Sequence, residues 1–170
     1  MTEGEPARKC GECGLCCKLL PVKSLGKPAN TRCQFQRMSK GCTIYAKRPF
    51  DCQTWACRWL VDPATAGLPR PDRSHYVVDI MPDFITIDQH DGAGPVDIPV
   101  LQIWVDPAYP DAHRTPALRE YMQRMAVEEG MAALVRWDSK RAVTVFAPFF
   151  SSDGQWHERE GTCRAEERIF

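Results

Sequence analysis

No stretch of this 170-residue chain approaches the roughly 20 consecutive apolar residues of a membrane-spanning helix, so no such helix is expected. The opening segment, MTEGEPARKCGECG, has early acidic residues and no apolar stretch, which excludes a secretory signal and leads us to expect a reducing, cytoplasmic setting. Histidine is absent from residues 1–60; His75, His90, His113 and His157 all lie downstream. A metal held by the first 60 residues is therefore expected to have sulfur-only ligands. The patterns GxGxxG, GxxxxGK with Ser or Thr, and HExxH are all missing, which removes dinucleotide-fold, P-loop and zincin arguments. There is no internal repeat, low-complexity tract or heptad pattern, and no net charge.

What the chain has is sulfur. Eight of its nine cysteines fall between residues 10 and 57: Cys10, Cys13, Cys16, Cys17, Cys33, Cys42, Cys52 and Cys57. Thiolate is the soft ligand of zinc, copper(I) and iron-sulfur clusters, and a C-x2-C turn lets two sulfurs reach one metal. Disulfides are the competing use. They are uncommon in a reducing compartment, the count is odd, and bridging the vicinal Cys16 and Cys17 would strain the peptide between them.

The first run begins like the bacterial ferredoxin pattern C-x2-C-x2-C-x3-C-P but has Leu20 before Pro21 where the fourth cysteine belongs. Cys17 can supply a fourth sulfur, although adjacent residues point differently, so Cys16 and Cys17 more naturally serve two metals or bridge them. Cys33, Cys42, Cys52 and Cys57 then add later ligands, and the eight divide into two tetrahedral sets. Zinc and a four-thiolate iron-sulfur cluster satisfy this chemistry equally. Cys163 reads either as an ordinary thiol or as a ninth sulfur returned by the tail.

Charge is split. Residues 1–60 carry 11 Lys and Arg against 4 Asp and Glu, a balance of +7, and the remainder carries −7. Eight thiolates around two divalent ions add a net charge of about −4, which surrounding cations would offset while keeping the thiols deprotonated. Nucleic acid is the rival partner, but Lys9, Lys18, Lys23, Lys27, Arg32, Arg37, Lys40, Lys47 and Arg48 are scattered as on a solvated surface.

Local patterns predict an α+β fold: a loop-rich cysteine lobe nucleated by metal over 1–61, a Pro-rich linker over 62–74, and a lobe over 75–170 packed against the first. Pro49 is expected to start a helix through FDCQTWACRWL that lays Cys52 and Trp59 along one side. The second lobe is expected to hold a mainly antiparallel sheet of about five strands. Residues 74–81 and 84–89 read as a hairpin about Pro82-Asp83, 98–105 as a third strand, and 132–137 with 142–148 as a second hairpin. Thr115-Pro116 opens one amphipathic helix, whose Leu118, Tyr121, Met122, Met125 and Ala126 form a core stripe before Gly130. Asp79, Asp88 and Asp106 read as solvent-facing, and the histidines as surface or hydrogen-bonded core residues.

The order Cys10-x2-Cys13-x2-Cys16-Cys17, Cys33-Gln34-Phe35, Gly41-Cys42-Thr43-Ile44-Tyr45 and Arg48-Pro49-Phe50-Asp51-Cys52 resembles the YkgJ-type CxxCxxCC cysteine-cluster family. That family is described as a zinc- or iron-chelating domain, and flagellin lysine methylases contain a similar cluster associated with iron-sulfur binding. The resemblance covers about residues 10–57 and implies Cys10, Cys13, Cys16, Cys17, Cys33, Cys42 and Cys52 as ligands. Gln53 stands where the family often has arginine, and Cys57 lies outside the core pattern.

The leading expectation is a cytoplasmic metal-binding protein holding zinc or an iron-sulfur cluster, with a protein partner possible on the α+β surface and no membrane. The alternatives are an iron-sulfur-dependent redox or group-transfer enzyme, and a metal storage, delivery or nucleic-acid-binding module. No catalytic residue is legible beyond the cysteines themselves.

Overall fold

A computed structural model describes residues 8–89 and 92–162; Cys163 and His90 fall outside these. The fold is α+β, with a six-stranded mixed sheet where about five strands are expected. The chain begins with α1 (Leu15–Leu19), a two-stranded ribbon of β1 (Gln36–Arg37) and β2 (Gly41–Cys42), and two short helices, α2 (Phe50–Thr54) and α3 (Arg58–Val61). The Pro-rich stretch 62–74 includes a 3-10 turn at Pro63–Thr65 and α4 (Pro71–Ser74). The main sheet follows: β3 (Tyr76–Val78), β4 (Asp83–Gln89), β5 (Gly94–Val105), β6 (Ala132–Arg136), β7 (Arg141–Phe146) and β8 (His157–Thr162).

The expected helix from Pro49 is instead two helices, because Trp55, Ala56 and Cys57 run through an extended step. The expected hairpin about Pro82-Asp83 is also replaced. β3 and β4 do not pair with each other; both lie antiparallel along β5, β3 against residues 103–105 and β4 against residues 94–100. Both sit on the edge of β5 opposite β6, which runs parallel to residues 100–104. They form one interrupted strand. Pro82 lies in the gap, where a residue with no N–H to donate to the ladder does least harm. The 12-residue β5 is long enough to serve both pieces.

β7 and β8 extend the sheet antiparallel in the order β3-β5-β6-β7-β8. β8, HEREGT, is rich in charge, and no strand is expected there from the hydrophobic pattern.

The parallel β5–β6 pair is joined by α5 (Pro116–Glu129), ended at Gly130 in the left-handed conformation at φ +65°. The expected stripe is buried: Leu118, Tyr121, Met122, Met125 and Ala126 pack on Tyr76, Val78, Leu101, Ile103, Val105 and Val135. Alternation along the strands sends Val77 and Trp104 to the opposite face, where they meet Cys13, Leu15, Leu19 and Cys57. The sheet thus has α5 on one face and the cysteine segment on the other.

Leu118→Ala should cost about 2–5 kcal/mol, as for deletion of a buried leucine side chain, while Val127→Ala, 55% exposed on the same helix, should change stability by less than about 0.5 kcal/mol. Urea unfolding of both variants provides the comparison.

Candidate metal centre

Five separate pieces of backbone bring the cysteines together. A turn closed by Cys13 N–H to the Cys10 carbonyl (2.9 Å) leads into α1. There Cys16 and Cys17 are successive helical residues and so project about 100° apart. Cys33 is held against α1 by donating its N–H to the Cys17 carbonyl at 3.0 Å. Cys42 ends the β1–β2 ribbon, and Cys52 sits in α2, which Asp51 anchors by accepting Ser24 N–H at 2.9 Å. Cys57 occupies the extended step between α2 and α3 and forms a lone antiparallel bridge with Asp79, just beyond β3.

Gly41 permits the ribbon to approach the first turn. Its φ is +74°, and a Cβ built there would lie 2.2 Å from the Gly11 carbonyl oxygen, so any side chain would separate Cys42 from the Cys10–Cys13 turn.

All eight cysteines line one hollow of about 240 Å³, together with Leu20, Val22, Leu25, Phe35, Ile44 and Tyr45 among others. None of the eight is in a disulfide. Among the described residues, no histidine lines the hollow. His75 stacks on Tyr109, His113 is buried with Nδ1 3.1 Å from the Pro110 carbonyl, and His157 lies against Asp153. Among the described residues, no three histidine, cysteine, aspartate or glutamate side chains already form a metal coordination group. The sulfurs line the walls of a space.

The thiols are electrostatically unequal. Cys16 interacts with the sulfurs of both Cys10 and Cys17, which pushes its own pKa up and helps draw those of Cys10 and Cys17 down to about 7. Burial raises Cys13 and Cys52, and pushes Cys57 up to about 12. Residue types alone do not reveal this division.

Lys27 is a contributor that its place among scattered surface cations conceals. The turn from Val22 to Lys27 is closed in both directions, Val22 N–H to the Lys27 carbonyl at 2.9 Å and Lys27 N–H to the Val22 carbonyl at 3.0 Å. It turns Lys27 inward, where Nζ donates to the carbonyls of Thr31 (2.8 Å), Pro28 (3.2 Å) and Lys18 (3.4 Å). Burial lowers its pKa, while the nearby sulfurs of Cys33, Cys17, Cys16 and Cys52 oppose that shift. It is a fixed positive charge beside thiols.

Two aspartates expected at the surface are buried instead. Asp79, 6% exposed, accepts from Trp55 Nε1 at 2.7 Å and Met81 N–H at 2.8 Å. Asp106, 5% exposed, pairs with Lys18 Nζ at 2.6 Å. Each ties the cysteine segment to the sheet, and neither lines the hollow. Their hydrophilic identity suggests exposure, while their long-range partners explain burial.

Comparison with known protein families, with curated proteins and with solved structures finds no match to this chain.

Alkylation of reduced, metal-free protein should begin at Cys10 and Cys17, rising to half its maximum near pH 7 because the thiolate is the nucleophile, with Cys16 and Cys57 reacting last. Site-resolved mass spectrometry across pH 6–9, on the order of the ordinary thiol range, reads the sequence of labelling. Gly41→Ala should destabilise the fold by at least about 1–2 kcal/mol from its left-handed backbone alone, with further loss from the clash at Gly11, as measured by thermal unfolding.

Proposed function

We propose that this chain is a metal-binding protein of the YkgJ-type cysteine-cluster family, holding zinc or an iron-sulfur cluster through Cys10, Cys13, Cys16, Cys17, Cys33, Cys42, Cys52 and Cys57 in a reducing, cytoplasmic setting. The observation that carries this reading is the convergence of eight unpaired thiols, drawn from five backbone pieces, on one hollow. Gathering that many polarizable thiols around one space without a shared partner has little structural advantage over aliphatic side chains. The donor set suits zinc, copper(I) or iron-sulfur chemistry, and Lys27 supplies a positive charge near the anionic shell such a centre would have. Sulfurs spaced around a wall draw in on a cation by side-chain rotation, and deprotonation on binding removes the thiol protons that stand between them.

A second reading, iron-sulfur-dependent redox or group-transfer chemistry, draws on the cavity itself. Its partly apolar wall of Leu25, Phe35, Ile44 and Tyr45 offers a surface for a small molecule beside the sulfurs. When bound, the cluster would supply the electrons; these side chains would exclude water.

Protein prepared without oxygen should contain zinc or iron at near-stoichiometric level by elemental analysis, and its visible spectrum distinguishes colourless zinc from an iron-sulfur chromophore. Neither metal above trace would refute the proposal. Cys13→Ser with Cys16→Ser should lower bound metal and speed proteolysis within residues 10–60, because binding free energy would then no longer support the fold there.

A further inference from the structure

We propose that the eight sulfurs form two different metal sites: a closed one made by Cys10, Cys13, Cys16 and Cys57, and an open one made by Cys17, Cys33, Cys42 and Cys52. This rests on the metal-binding reading above and assigns each sulfur within it.

Three features separate the sets. Beneath the main hollow lies a small chamber of about 20 Å³ whose wall contains Cys10, Cys13, Cys16 and Cys57, with Trp59, Leu60, Pro71 and Val77, and none of the other four cysteines. Burial follows the same line except at Cys10. Cys13 and Cys57 belong to the apolar cluster on the sheet, with Cys16 packed against it, whereas Cys10 is half-buried and, like every member of the second set, enters no core cluster.

The groups facing the sulfurs divide too. Backbone N–H groups of Leu15 and Asp72 bear on the Cys13 sulfur, and those of Trp59 and Leu60 on the Cys57 sulfur. In both cases one donor comes from two residues further along the chain, an arrangement that stabilises negative sulfur without a nearby ammonium. On the other side, Lys27 acts on Cys33 and Cys17 first, then on Cys16 of the vicinal pair and on Cys52; neither Cys13 nor Cys57 is among its principal sulfur neighbours. Cys52 in turn faces Cys17, Cys33 and Cys42.

The vicinal pair joins the two sets. Successive helical residues point about 100° apart, so Cys16 lines the chamber while Cys17 does not and acts instead on Cys52, the two adjacent sulfurs staying in contact with each other. The closed set is structural: its metal would be enclosed by Trp59, Leu60 and Val77 and leave slowly. The open set, which lines the larger space and not the small chamber, is where exchange or chemistry with a small molecule takes place.

The test titrates reduced, metal-free protein with Co²⁺ under anaerobic conditions and counts bound ions by native mass spectrometry. Chelator-driven release from the zinc-loaded protein is followed in parallel. Wild type should bind two ions and release them in a fast and a slow phase. Cys33→Ser/Cys52→Ser should halve the count and remove the fast phase; Cys13→Ser/Cys57→Ser should halve it and remove the slow one. Wild-type protein that takes up neither ion overturns metal binding itself. One ion bound in wild type, two ions lost together from either double variant, or a single release phase leaves metal binding standing and overturns the division. The wild-type count and release phases require no substitution, so a variant that fails to fold does not shelter the proposal.

Discussion

The seam between Val77 and Trp104 carries the arrangement of this molecule. These residues are directly paired across β3 and β5 and point away from α5, toward Leu15, Leu19, Cys13 and Cys57. The helices on that side, α1, α2 and α3, are 4–5 residues long, far below the roughly 12–15 at which an isolated helix becomes even marginal in water. Their backbone conformation must come from packing. Each leucine buried there contributes on the order of 1.5–3 kcal/mol, and Leu19 is fully enclosed. Without the sheet's outward face the cysteine-bearing turns would lose the apolar surface against which they pack. Around the seam, Trp55 to Asp79, Lys18 to Asp106 and Asn30 Nδ2 to the Trp137 carbonyl at 2.7 Å fix its orientation through directional bonds.

The same constraint explains where charge sits. A buried aspartate or lysine is tolerated only when its polar atoms are satisfied, and here the aspartates find partners in distant segments and Lys27 in nearby backbone. Asp79 is satisfied by the indole of α2's C-terminal neighbour, Lys27 by the Lys18 carbonyl of α1 and the Pro28 and Thr31 carbonyls that follow it. Lys27 is consequently held in place by neutral acceptors, and its charge remains to act on the sulfurs across a short distance. A mobile surface lysine would be screened by water and would lose this effect.

Much of the fold was legible because it follows period and punctuation. The α5 stripe, its Pro116 start and its Gly130 stop, and the β6–β7 hairpin all arise from local pattern and are present. The placement of β3 and β4 is not legible, because adjacency in sequence favours a hairpin, whereas a 12-residue β5 can accept both pieces on one edge. β8 escaped notice since an edge strand facing solvent needs no apolar alternation. In the candidate site, the cysteines were legible as residue types. Gly41's contact with Gly11, Lys27's inward turn and the burial of Asp79 were not, for each depends on a partner from another part of the chain.

Cys57 shows how the two levels join. By motif it stands apart from the cysteine pattern; by structure it is the cysteine most firmly attached to the sheet, through its backbone bridge to Asp79 and its packing on Val77. Asp79 bonds to β5 on its other side, donating its N–H to the Gln102 carbonyl at 2.8 Å. A continuous line of backbone hydrogen bonding therefore runs from Cys57 into the centre of the sheet. A ligand that draws on the Cys57 sulfur would act directly on the edge that organises the lobe, and its binding free energy would become stability of the seam rather than of a detached loop.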